Sequence, residues 1–100
     1  MKTGIELIAE ERKEQIEKHG YNAEHDDEKG HDKGELTDAA MFMLVILKDG
    51  YIKDEAISFY PSTWDVFPMV KWVKKDKIGK LKVAGALIAA EIDRLQRVGE

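Results

Sequence analysis

The stretch that decides the fold is DAAMFMLVIL, residues 38–47, in which nine consecutive apolar residues follow an aspartate. Nine residues are too few to cross a bilayer, since a membrane-spanning helix needs about 20. A helix with apolar side chains on every side is typical of the buried centre of a protein. Glycines lie on both sides of the stretch and mark helix ends. We therefore predict a central, buried helix from Gly34 to Lys48, closed by Asp49-Gly50.

Two longer segments on either side also have helical spacing. Thr3 and Glu6 form a capping box, the usual start of a helix, and His19-Gly20 ends this first helix. The last helix is predicted from about Asp76 to Arg97, with an apolar stripe of Leu81, Ala84, Leu87, Ile88, Leu95 and Val98. Between the central and last helices, residues 51–68 have no clear period and contain both prolines, which predicts irregular chain or short helical turns.

The sequence contains no strand-like alternation and no internal repeat. One hundred residues suffice for one domain with one core. Three long helices and a shorter element bury their apolar sides best against one another. We therefore predict a single all-α domain over residues 1–100, folded as a small bundle of three to four helices.

Composition narrows the class of protein further. The apolar share of 43% is ordinary for a globular domain, and the absence of cysteine excludes a disulfide framework and a thiolate metal site. Residues 1–11 lack the basic start and apolar run of a signal peptide. We expect a soluble, cytoplasmic protein that makes no membrane contact.

Charge is distributed unevenly along the chain. Up to Asp38 there are twelve acidic and six basic residues, whereas residues 71–82 contain six lysines and one aspartate. The acidic balance argues against a nucleic-acid-binding module, whose basic face usually dominates. It suits a protein that binds cations at one end and phosphates at the other, with Lys80 and Lys82 as candidate phosphate contacts. The alternative is a solvated, lysine-rich start of the last helix.

Two acidic pairs are the main candidates for a site. Glu11 and Glu14 on the first helix, and Glu35 and Asp38 on the central one, are each three residues apart, so each pair lies on one side of its helix. Two such pairs can converge on Mg²⁺, which prefers carboxylate oxygens and is commonly shared with substrate phosphates. Glu10 lies at the edge of the first pair. The alternatives are a solvated face for the first pair and a favourable interaction with the helix dipole for the second.

Glu91 provides an independent indication, because the helical period places it among the apolar residues of the last helix. A carboxylate there needs a partner or a metal ion. A structural salt bridge, for example to Arg12, explains it as well as a role in the site. We expect Asp93 to point the other way and to be exposed.

The motif Glu10-Glu11-x-x-Glu14 followed by Glu35-x-x-Asp38 resembles the EExxE…ExxD signature of MazG-like, all-α nucleotide pyrophosphohydrolases. Small phage-associated relatives of that group are more similar still. The likeness is carried by LIAEER at 7–12, EHDD at 24–27, GEL at 34–36 and AGALIAAEIDRL at 84–95. It covers roughly two-thirds of the chain, while residues 51–75 match no part of the pattern.

The resemblance implies a four-helix bundle, usually oligomeric, that hydrolyses an NTP or dNTP to the monophosphate and pyrophosphate. By motif position, Glu11, Glu14, Glu35 and Asp38 would bind Mg²⁺, or Mn²⁺, and position water. Glu10, Glu91 and the two lysines named above are further candidates for contact with the substrate. We expect a homodimer in which part of residues 51–75 lies in the subunit contact.

The polar loop and the aromatic segment each have a functional interpretation and a simpler structural one. The loop from Tyr21 to Lys33 contains His25 and Asp27, which are candidates for substrate contact, but its spacing fits neither a zinc site nor an EF-hand, and aspartates are common in turns. The aromatic residues between 59 and 72 could stack on a base or fill a small core. The chief rival to an enzyme is a non-enzymatic, phage-type interaction protein in which the carboxylates are surface residues.

Overall fold

Five helices make up most of the part of the chain that the computed structural model describes, which is residues 1–19, 34–49, 54–62, 64 and 67–99. They are α1 (Gly4–His19), α2 (Glu35–Asp49), α3 (Asp54–Phe59), α4 (Phe67–Val73) and α5 (Lys77–Arg97). These ranges contain no strand. The predicted all-α bundle is confirmed. Residues 51–68, predicted as irregular chain or short turns, contribute α3 and the start of α4.

The helix ends follow the capping chemistry in the sequence. At the start of α1, the amide of Glu6 donates to Thr3 Oγ1 at 3.2 Å, and the amide of Thr3 donates to Glu6 Oε1 at 3.1 Å. This reciprocal pair is the predicted capping box. At the start of α5, Asp76 Oδ1 accepts a hydrogen bond from the amide of Gly79 at 2.7 Å. Each cap satisfies backbone groups that a helix terminus otherwise leaves unpaired.

Helix α5 is the common partner of the other two long helices, because α1 and α2 both pack against it, while α3 packs against α2. On α2, Phe42, Met43 and Ile46 are fully buried. The buried side of α5 is built mainly from small residues, namely Val83, Ala84, Ala86, Leu87 and Ala90. Small side chains let neighbouring helices approach closely, so the core forms along this side.

Two predictions about apolar faces were wrong in detail. The stripe predicted for the last helix is only partly buried, because Leu81, Ile88 and Val98 are exposed while Lys80 is buried. The helices that pack on α5 meet its alanine-rich side, which is rotated away from the larger aliphatic residues. Helix α2 is not covered on every side either, since Met41 and Leu44 are exposed.

Aromatic residues close the core beside α2. The ring of Phe42 lies 5.1 Å from that of Tyr60 and 6.5 Å from that of Trp72, and Trp64 lies 6.2 Å from Tyr60. Tyr60 and Trp72 are buried. Of the two interpretations of this aromatic segment, core packing within the chain is therefore the one that applies to these rings.

Helices α1 and α5 approach closely at a glycine. A Cβ atom added to Gly85 would lie 2.6 Å from Ile8 Cδ1 and 2.7 Å from Ile8 Cγ1. A glycine in the middle of a helix is otherwise unfavourable, so close packing accounts for its presence here. Among the described residues, no helix combines the length and the apolar character needed to span a membrane.

Candidate functional site

Glu35 is the most unusual of the predicted site residues. It lies in the first turn of α2 and is only 9% exposed. Its Oε1 atom is buried and has no hydrogen-bond partner among the described residues. A buried carboxylate oxygen is costly unless a donor, a proton or a cation compensates it. The helix dipole favours an anion at this end of α2, but it does not provide a hydrogen bond to that oxygen.

Asp38 lies one helical turn after Glu35, as the three-residue spacing predicts. It is half-buried and belongs to the same first turn of α2. The backbone amide of Asp38 donates to the carbonyl oxygen of Gly34 at 2.8 Å, which fixes the start of the helix. Gly34 has a φ of 81°, a conformation that favours glycine. The turn therefore presents two carboxylates from a well-defined helix end.

Glu91 connects α5 to this first turn. Its side chain is 13% exposed, so the predicted burial is confirmed. Glu91 Oε1 accepts a hydrogen bond from Arg94 Nε at 2.5 Å, and Thr37 Oγ1 donates to Glu91 Oε2 at 3.4 Å. The cation that pairs with Glu91 at this short distance is thus Arg94, on the same helix. Glu91 has the geometry of a structural ion pair that also supports the start of α2.

On α1 the acidic residues differ in their surroundings. Glu11 is half-buried and Glu14 is exposed. Both oxygens of Glu10 accept from Lys2 Nζ, at 2.5 and 2.6 Å, so the predicted substrate contact by Glu10 competes with an ion pair. Among the side chains of α1 that the structure describes, Gln15 is buried, at 4% exposure.

Contacts to α5 show that the two acidic segments lie at the same level of the bundle. Arg12 of α1 approaches Asp93 at 3.9 Å, whereas Thr37 of α2 reaches Glu91. The side chain of Asp93 is 53% exposed, as predicted. Even so, among the described residues no group of three or more His, Asp or Glu side chains lies close enough to hold a metal ion. The two acidic pairs flank α5 without forming a complete ligand set in that part of the chain.

The predicted lysine contacts lie elsewhere. Lys80 is buried and Lys82 is half-buried, so the substrate role predicted for Lys80 does not fit its surroundings. At about 1.5 Å per residue, these lysines are roughly 14–17 Å from Glu91 along α5.

Two of the residues around the site were not predicted from the sequence. Arg94 and Thr37 hold Glu91, and the only signal for Arg94 was its three-residue spacing from Glu91 on the same helix. No sequence signal pointed to Thr37, because its contact joins residues 54 positions apart. His25 and Asp27 lie outside the described residues.

Comparison with known proteins adds no family to these observations. The likeness to MazG-like pyrophosphohydrolases rests on the motif residues of this sequence and stays a prediction. No protein-family model, curated protein or solved structure matches this chain.

Proposed function

We propose that this chain is a Mg²⁺-dependent nucleotide pyrophosphohydrolase of the MazG-like, all-α type, acting in the cytoplasm on an NTP or dNTP. In this reaction the oxygen of water attacks the α-phosphorus, and the bond to the β-phosphate bridging oxygen breaks. The products are the nucleoside monophosphate and pyrophosphate. The observation that carries the proposal is the buried Oε1 of Glu35, which has no hydrogen-bond partner in the part of the chain that the structure describes.

A divalent cation is the compensation that best suits this oxygen. Hard cations such as Mg²⁺ bind carboxylate oxygens and retain sites for water and substrate phosphates. When bound, the ion would neutralise phosphate charge and lower the cost of bringing a polyphosphate to an acidic site. Glu35 and Asp38 would hold it from α2, with Glu11 and Glu14 of α1 as the second pair that the family motif implies.

The protein's own contribution is to keep α2 in place. The Glu91–Arg94 pair neutralises one carboxylate near the site, and the Thr37 hydroxyl ties that pair to the first turn of α2. Glu91 would therefore act as a positioning residue, and not as a metal ligand. This role fits a carboxylate whose two oxygens already have partners.

The decisive experiment is a screen of the four NTPs and four dNTPs with Mg²⁺ or Mn²⁺, in which pyrophosphate release is measured. We expect release from at least one nucleotide, and we expect Glu35→Gln to abolish it. The matched control is Glu55→Gln, which neutralises an exposed glutamate in the first turn of α3. Equal activity in the two variants, or no release from any nucleotide, would refute the proposed reaction.

A second candidate is a non-enzymatic helical interaction protein. It is favoured by the finding that, within the described ranges, no three potential ligands lie together. In that case Glu35 would interact only with the helix dipole, and neither metal nor nucleotide would change the melting temperature. The same nucleotide screen separates the two candidates.

A further inference from the structure

Helices α2 and α5 both leave large apolar side chains exposed within the part of the chain that the structure describes. On α2 these include Met41 and Leu44, and on α5 they include Leu81, Ile88 and Ile92. Each of the five is between 40% and 51% exposed. Single exposed aliphatic residues are normal, but a continuous patch of them usually marks a contact surface.

The contact between Thr37 and Glu91 makes these residues one surface. Met41 and Leu44 follow Thr37 at spacings of four and seven, so they lie on the same side of α2. Ile88 precedes Glu91 by three residues and lies near it on α5. Since α5 ends at Arg97, soon after Glu91, the rest of α2 packs by running back along α5. The exposed residues of the two helices therefore border each other, and we call this surface the α2–α5 face.

We propose that the α2–α5 face binds a second copy of this chain. Five side chains with this exposure present on the order of 300–400 Å² of apolar surface, which is typical of the largest patch on a monomer. A stable interface buries about 800 Å² on each partner, of which a little more than half is apolar. The face thus provides most of the apolar area that such an interface needs. Two antiparallel helices from each copy would form a four-helix bundle.

Charge selects the orientation of the two copies. Lys48 lies at the end of α2, and Lys77 lies one turn before Leu81 on α5, so this end of the face is basic. The opposite end of α2 carries the half-buried Asp38. A two-fold axis parallel to the helices would bring the lysines of the two copies together, and their charges would repel. An axis perpendicular to the helices keeps these lysines apart, at opposite ends of the paired face.

This pairing differs from the subunit contact predicted for residues 51–75, whose rings Tyr60 and Trp72 are buried within the chain. It gives a definite form to the homodimer of the proposed function, but it does not depend on the proposed reaction. Because association can be measured without nucleotide or metal, failure of one proposal is distinguishable from failure of the other.

The first test compares two variants with the same substitution at equal exposure. Ile88 is 47% exposed and lies on the α2–α5 face, while Ile57 is 49% exposed and lies on α3. By sedimentation velocity we expect a dimer for the wild type and for Ile57→Glu, and a monomer for Ile88→Glu. Met41→Glu, on the other helix of the face, should also give a monomer. Circular dichroism melting checks that each variant is folded.

The second test determines the orientation by disulfide formation, which is clean because the chain has no cysteine of its own. Lys77 and Ile92 are about 22 Å apart along α5, whereas a disulfide requires Cα atoms within about 7 Å. We expect Lys77→Cys alone and Ile92→Cys alone to form little disulfide dimer, and an equal mixture to form the cross-linked pair. Efficient self-cross-linking of either variant would overturn the proposed axis. A monomeric wild type, or an Ile57→Glu variant that dissociates as Ile88→Glu does, would overturn the face itself.

Discussion

Neutralising Glu35 should have opposite effects on stability without and with metal. Glu35→Gln keeps the shape of the side chain and removes the charge from a residue that is 9% exposed. A buried carboxylate oxygen without a hydrogen-bond partner costs more than the roughly 1–3 kcal/mol of a neutral polar group. The variant loses about 0.3–1 kcal/mol of dipole interaction and retains a buried amide that costs about 1–3 kcal/mol. Without metal, we therefore expect the free energy of unfolding of Glu35→Gln to exceed that of the wild type by about 1 kcal/mol. For a domain of this size that corresponds to a melting temperature raised by roughly 4–8 °C.

When Mg²⁺ is bound, the wild type should be more stable than Glu35→Gln. A ligand at 100 times its dissociation constant stabilises the native state by about 2.7 kcal/mol, so Mg²⁺ should raise the melting temperature of the wild type by roughly 10–20 °C. Glu35→Gln should lose most of that shift. Differential scanning calorimetry of both proteins, with EDTA and across a Mg²⁺ titration, measures all four states.

The control is again Glu55→Gln, an exposed glutamate in the first turn of α3, which should change stability by less than about 0.5 kcal/mol and keep the full metal shift. If the metal-free Glu35→Gln protein melts below the wild type, the carboxylate makes a favourable structural interaction and the reasoning from its unpaired oxygen is wrong. If Mg²⁺ shifts both proteins equally, the metal binds elsewhere.

Three further predictions concern the packing around the site. Gly85→Ala should destabilise the wild type by about 1 kcal/mol in urea unfolding, because the new methyl group meets Ile8 at 2.6 Å. In an Ile8→Ala background the same substitution should be stabilising, because alanine favours the helix more than glycine does. An effect of the same sign in both backgrounds would contradict this account. Glu91→Gln should destabilise the protein by about 1–3 kcal/mol both with and without Mg²⁺, because it removes the negative charge of the Glu91–Arg94 ion pair. A loss confined to the metal-bound form would make Glu91 part of the metal site. Asp76→Ala should cost about 1 kcal/mol in thermal unfolding through loss of the α5 cap, and an unchanged melting temperature would show that this cap contributes nothing.

Local chemistry accounts for the parts of the fold that the sequence predicted well. The central helix was expected from Gly34 to Lys48 and is found at Glu35–Asp49, because the apolar run and the glycines on both sides of it mark its extent in the sequence. The capping box at Thr3 and the start of α5 at Asp76 likewise depend on residues a few positions apart. Such short-range signals need no knowledge of the tertiary structure.

Which side of α5 faces the core could not be predicted from such short-range signals. Its sequence carries aliphatic residues around more than half of the helix, so the period alone does not decide which of them are covered. That Lys80 is buried and Leu81 exposed depends on where α1 and α2 pack. The site shows the same limit: the spacing of Glu35 and Asp38 can be read from the sequence, but the burial of Glu35 and its oxygen without a hydrogen-bond partner depend on the surrounding helices. Convergence of the α1 and α2 carboxylates is a tertiary property too, and spacing within one helix cannot establish it.

Helix α2 carries both of the features for which we propose a binding partner, and its geometry keeps them apart. At about 100° per residue, Met41 and Leu44 lie about 120° and 180° around the helix from Glu35, so a second copy on the α2–α5 face leaves the unpaired carboxylate uncovered. A metal ion would therefore compensate the buried carboxylate oxygen of Glu35, whereas a second copy would cover the exposed apolar side chains of the same helix. The effects should be nearly additive, as they are for sites without shared contacts. The monomeric Ile88→Glu protein should accordingly keep its Mg²⁺-induced rise in melting temperature, and Glu35→Gln should remain a dimer in sedimentation. Loss of the metal shift on dissociation would instead mean that the metal site is complete only in the dimer.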